Sequence, residues 1–128
     1  MCKLHLCKLH LFVVAGLLGV LVLALGACNG EKSLEEYPCP PEGTKLTYTS
    51  FGAGFMGANC QTCHGAPTDD RKGAPSGYDF GTLDGVREHR ARIFARAAGK
   101  NDSMPPGPDD PPEAERTKLA EWLACGAP

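Results

Sequence analysis

The chain has 128 residues, 42% hydrophobic and 22% charged, with 16 glycines and 11 prolines, which excludes collagen-like and wholly disordered classes. Residues 1–27 read as a removable targeting segment, and the 101 that remain suffice for one small domain with one core, not two. That remainder carries 11 basic and 15 acidic side chains, a net charge of −4, which argues against a general nucleic-acid binder.

Met1–His10 holds Lys3 and Lys8 and no acid, and Leu11–Leu25 is a 15-residue uncharged run. A basic start, a short apolar run and small residues after it predict a secretory signal peptide. The run is shorter than the roughly 20 apolar residues of a membrane-spanning helix. It leads into Leu25-Gly26-Ala27-Cys28, which resembles the bacterial lipoprotein cleavage box. The resemblance implies cleavage before Cys28, acylation of its sulfur and amine, and a firm lipid anchor. An ordinary signal peptide with a fortuitous cysteine is the alternative. Cys2-Lys3-Leu4-His5-Leu6 repeats as Cys7-Lys8-Leu9-His10-Leu11. It looks like a metal tract, but it leaves with the signal and is read as a duplication without function. Residues 29–43 are polar, acidic and proline-rich, with no sustained period. The stretch 28–48 is therefore expected to be a tether for a domain at 49–128, with only Cys39 tied to something.

Ser50 is expected to cap a first helix running to about His64, with Phe51, Phe55, Ala58 and Thr62 on one side. Gly52, Gly54 and Gly57 each weaken such a helix by roughly 1 kcal/mol relative to Ala. They predict close packing by another element. The helix ends in Cys60-Gln61-Thr62-Cys63-His64. This C-x-x-C-H spacing is the attachment pattern of c-type haem, and one copy implies one haem. A spacing of three on a helical turn puts both sulfurs on one side, within reach of two vinyl groups, and the adjacent imidazole can swing beneath the ring to the iron. A thioredoxin-like redox pair needs a βαβ surround, and nothing here alternates strands and helices. A zinc site lacks its other half, since only Cys39, His89 and Cys125 remain, widely scattered. Cys39 and Cys125 are then left over. In an oxidising compartment they suggest a disulfide pinning the start of the domain to its end; two free buried thiols are the alternative.

With this motif the chain resembles the cytochrome c family, in particular bacterial class I monohaem domains, over about residues 49–126. The resemblance implies an all-α fold of cytochrome c-like helices wrapped around one covalently bound haem c. It also implies a distal methionine on a loop after the middle helix, and first and last helices that cross closely. Met104, 40 residues beyond His64, stands in Asn101-Asp102-Ser103-Met104-Pro105-Pro106-Gly107, which matches the family's distal-ligand loop. The two prolines stiffen that loop. Met56 lies one turn before Cys60 on the same helix and cannot easily reach the opposite face. His89, at helical spacing with Val86, Ile93 and Ala97, is the rival ligand, or simply lines an apolar face. In this family a loop proline carbonyl accepts the proton on the far nitrogen of the haem histidine. Pro75 is preferred for that role here over Pro67, and Tyr78 and Phe80 are expected against the haem. The cysteine pair and the glycine-rich first helix depart from the best-known members without touching the iron ligands.

The middle helix is predicted over Leu83–Ala98, stopped by Gly99, with Val86, Ile93, Phe94 and Ala97 as its apolar stripe. Arg87, Arg90, Arg92 and Arg96 form mostly its solvated face, one of them a candidate partner for a haem propionate. The last helix is expected to start with Asp110 as N-cap, Pro111 at its first position and Glu113 three residues after the cap. Gly126 closes it, and Leu119, Trp122 and Leu123 face inward, with Trp122 packing on the first helix.

Together these readings point to an exported lipoprotein, lipid-anchored at the outer membrane or a periplasmic face. It would carry electrons one at a time between redox partner proteins, not act as an enzyme on a small-molecule substrate. His/Met ligation fills all six iron positions and raises the potential. The rivals are a gas-binding or sensor module in which Met104 leaves, a permanent haem subunit of a larger oxidoreductase, and a thiol-disulfide lipoprotein without haem.

Overall fold

The computed structural model of the protein describes residues 32–66 and 69–128. The predicted signal peptide, Cys28 and Pro67 lie outside the described residues. Among the described residues all regular structure is helical.

A π-helical turn, Tyr48–Gly52, leads into α1, Ala53–Asn59. Its cap is Thr47, not Ser50. The Thr47 hydroxyl accepts from the Ser50 N–H at 3.0 Å, and the Ser50 hydroxyl accepts from the Thr47 N–H at 2.9 Å. The two side chains thus satisfy each other's orphan donors as a capping box, and the helical run begins three residues earlier than Ser50 would place it. Cys60, at φ −125°, separates α1 from α2, Gln61–His64.

The middle helix is broken. Thr82 caps α3, Leu83–Glu88, by accepting from the Gly85 N–H at 3.1 Å. His89 then leaves helical geometry, at φ −102° and ψ 10°, and α4 continues over Arg90–Ala97. The His89 ring packs on Tyr78, with centroids 4.8 Å apart, and on Phe80 at 5.9 Å. These contacts place the break against the 78–80 segment. Val86, Ile93, Phe94 and Ala97 are all buried, as their spacing requires.

The last helix, α5, spans Glu113–Ala124, with Pro112 at its N-cap and no side-chain cap. Asp110 and Pro111 do not start it. A residue before proline is pushed toward extended backbone, so Pro111 cannot turn helical ahead of Pro112. Glu113 and Glu115 in the first turn complement the helix dipole. At the other end Gly126, at φ +91°, takes the left-handed position that glycine adopts without strain. Its N–H donates to the Leu123 carbonyl at 3.0 Å and the Ala127 N–H to that of Trp122 at 2.9 Å, a Schellman closure.

The core forms where the first and last helical segments cross. Trp122 is fully buried, stacks with Tyr48 at 6.5 Å and meets Phe51 edge-on at 6.0 Å. A Cβ at Gly52 would overlap the Trp122 ring, whereas Gly54 faces open space and Gly57 meets only the end of the Gln61 side chain. Close packing therefore explains one of the three glycines. Met56 is fully buried in the same core.

The segment before residue 49 is not a tether from Leu34 onward. Leu34 is buried, Tyr37 packs edge-on against Phe94 at 5.5 Å, and the Thr44 hydroxyl donates to Glu121 at 2.5 Å. A disulfide joins Cys39 to Cys125 at the end of α5, with their Cα atoms 5.0 Å apart. In the chain-entropy model a loop of this length is worth about 4–5 kcal/mol. The domain therefore reaches back to about residue 33, because an apolar pair at helical spacing and a cross-link both seat the segment on α4 and α5.

Candidate haem-attachment site

Two thiols and one imidazole share a single turn. The Cys63 and His64 N–H groups both donate to the Cys60 carbonyl, at 3.2 and 2.9 Å, so one tight turn carries all three side chains. Cys60 and Cys63 are both free and half-buried. Burial pushes the Cys60 thiol up to about 12, so it is protonated at neutral pH in the closed domain.

The 78–80 segment clamps this turn from outside. The Phe80 N–H donates to the His64 carbonyl at 2.6 Å, and the Gln61 amide donates to the Phe80 carbonyl at 3.2 Å. The buried Phe80 ring lies nearly parallel to the His64 imidazole, with centroids 4.5 Å apart. Phe80 and Tyr78 thus pack on imidazole rings, those of His64 and His89 respectively.

His64 Nδ1 lies 2.9 Å from the Tyr78 carbonyl oxygen. A carbonyl only accepts, so Nδ1 carries the proton and Nε2 is left with its lone pair. Pro75 does not have this role. Its carbonyl accepts from the Arg71 guanidinium at 3.1 Å, and the chain turns so that Tyr78, three residues on, meets the histidine. Any residue's carbonyl can accept such a bond, so no side-chain signal marked Tyr78. Arg71 was missed as well. It donates from Nη2 to Tyr78 at 2.7 Å, from Nε to Ala74 at 3.3 Å and from Nη1 to Gly65 at 3.4 Å.

Met104 comes from a separate loop. It is half-buried against the core, and its N–H donates to the Arg96 carbonyl at 2.9 Å, which ties the loop to α4. No hydrogen bond links it to His64 among the described residues. The structure therefore brings Cys60, Cys63 and His64 together and leaves Met104 on a separate loop anchored through its backbone. His89 is half-buried between aromatic rings.

The donor set fits a covalent haem: two free thiols at a spacing of three, followed by an imidazole whose tautomer frees Nε2 for a metal. Among the described residues no group of three or more His, Cys, Asp or Glu side chains could hold a metal ion by itself, and no helix is long and apolar enough to cross a membrane. Residues 49–123 match the family model described as cytochrome C oxidase, cbb3-type, subunit III. No curated protein and no solved structure matches the chain.

Proposed function

This chain belongs to the family of cytochrome C oxidase, cbb3-type, subunit III, a family of c-type cytochrome domains that transfer electrons through haem, and on that premise we propose that it is a one-electron carrier with a single haem c, ligated by His64 and Met104 and anchored to a bacterial membrane through lipid on Cys28. One observation carries the site reading: His64 Nδ1 donates to a backbone carbonyl, which leaves the Nε2 lone pair free on a turn that also presents two free thiols.

Bound there, the haem supplies a reversible ferric–ferrous couple. The protein's own groups do the rest. Cys60 and Cys63 provide the two thioether sulfurs. His64 Nε2 serves as one ligand, held in orientation by Tyr78 and shielded on one face by Phe80. The Met104 thioether serves as the other. A thioether is a weak donor, so its loop must be fixed, and the Met104–Arg96 backbone bond supports that. Methionine favours the reduced iron and raises the potential. With both positions taken by protein, no substrate needs to meet the metal, and the partners are redox proteins outside the cytoplasm, at the outer membrane or a periplasmic face.

The family's description as an oxidase subunit favours a second reading, a haem domain held permanently in a larger oxidoreductase. Purification from detergent-solubilised membranes separates the two: a carrier elutes alone, a subunit with its partner. Ligation is tested by adding carbon monoxide to the reduced protein. Wild type keeps its spectrum, and Met104→Ala shifts at once. An immediate shift in wild type would instead identify a gas-binding module.

A further inference from the structure

We infer that Arg71 is a positioning residue that tunes the iron through the Tyr78 carbonyl. The inference deepens the reading of His64 as an iron ligand and rests on it. Tyr78 O accepts two hydrogen bonds, one from His64 Nδ1 at 2.9 Å and a shorter one from Arg71 Nη2 at 2.7 Å. A carbonyl oxygen has two lone pairs, so both donors fit at once. The remaining Arg71 donors reach Gly65, directly after His64, and Ala74 and Pro75 across the loop. One guanidinium thus binds both the chain leaving the histidine and the carbonyl that orients its ring.

The chemistry has a definite sign. A guanidinium is charged at every accessible pH, and a charge-assisted bond is roughly twice as strong as a neutral one. It draws electron density from Tyr78 O and makes that oxygen a weaker acceptor for Nδ1–H. A carbonyl partner on its own raises the basicity of a ligating histidine. Arg71 restrains this, so Nε2 donates less strongly and the ferric state is less favoured. The positive charge, one residue's carbonyl away from the ligand and half-buried, acts in the same direction. Arg71 therefore holds the potential up from the histidine side.

The test uses haem-loaded protein. Arg71→Gln is expected to lower the midpoint potential in a spectroelectrochemical titration. It should also move the His64 Nδ1–H proton resonance of the ferrous protein downfield, as the remaining bond to Tyr78 strengthens. Arg71→Lys, which keeps the charge, is expected to recover part of the potential. A loop staple without electronic effect predicts lower melting temperatures for both variants at an unchanged potential, and that result overturns the inference. If Arg71→Gln does not fold, Arg71→Lys decides: a midpoint potential below wild type together with a downfield-shifted His64 Nδ1–H resonance supports the inference, and both unchanged overturns it. A chain that takes up no covalent haem fails the functional reading instead, and is recognised by its lack of a Soret band.

Discussion

The two ends of the first helical run are built by different forces. At its start, Gly52 gives up its side chain so that Trp122 can lie against the backbone, and Tyr48, Phe51 and Met56 complete an apolar seal. At its end, the turn Cys60–His64 is held by donors meeting carbonyls: Phe80 to His64, Gln61 to Phe80, His64 to Tyr78, and Arg71 to four loop oxygens. Packing at the crossing is non-directional and supplies stability. Hydrogen bonds at the motif are directional and fix one nitrogen's orientation. On the proposed reading both are needed, because an iron ligand must keep its geometry through repeated oxidation and reduction while the fold stays closed.

If that division holds, changes at the crossing shift thermal unfolding and leave the midpoint potential nearly in place. Trp122→Ala is expected to cost about 3–5 kcal/mol, the range for a fully buried aromatic, measured by denaturant unfolding of the haem-loaded protein. Replacing Cys39 and Cys125 together by Ser should cost about 2–5 kcal/mol with an unchanged visible spectrum, since the bridge joins the N-terminal segment to the end of α5. Gly52→Ala should cost about 1–3 kcal/mol through overpacking against Trp122, read as a lower melting temperature. By contrast Gly54→Ala, facing open space in the first turn of α1, should be neutral or stabilising. Thr47→Ala removes half of the capping box and should cost about 1 kcal/mol, again without a spectral change. A crossing variant that shifted the potential as far as a motif variant would break the comparison.

What could be read from the sequence follows the same line. Periodic apolar positions in α4 and α5, the C-x-x-C-H turn and the leftover cysteine pair were legible, because burial and fixed spacing leave marks on residue type. The boundaries set by competing local chemistry were less so. Ser50 was read as the cap because the reciprocal bond with Thr47 pairs two hydroxyl residues and lacks the usual Glu or Gln. The break at His89 depends on rings 9 and 11 residues upstream, which helical periodicity does not register. Leu34 and Tyr37 did carry a signal, two apolar residues three apart beside a cysteine, but the acidic, proline-rich surroundings masked it. The acceptor for His64 was least legible: Tyr78 supplies it from backbone, and Arg71 reaches it from a loop where a lone cation looks like ordinary surface charge.

The most direct test is the intact mass of the exported chain under denaturing conditions, produced together with c-type haem maturation machinery. One haem retained after denaturation, and lost when Cys60 and Cys63 are both changed to Ser, is the predicted result. A colourless chain at its bare polypeptide mass would contradict the account.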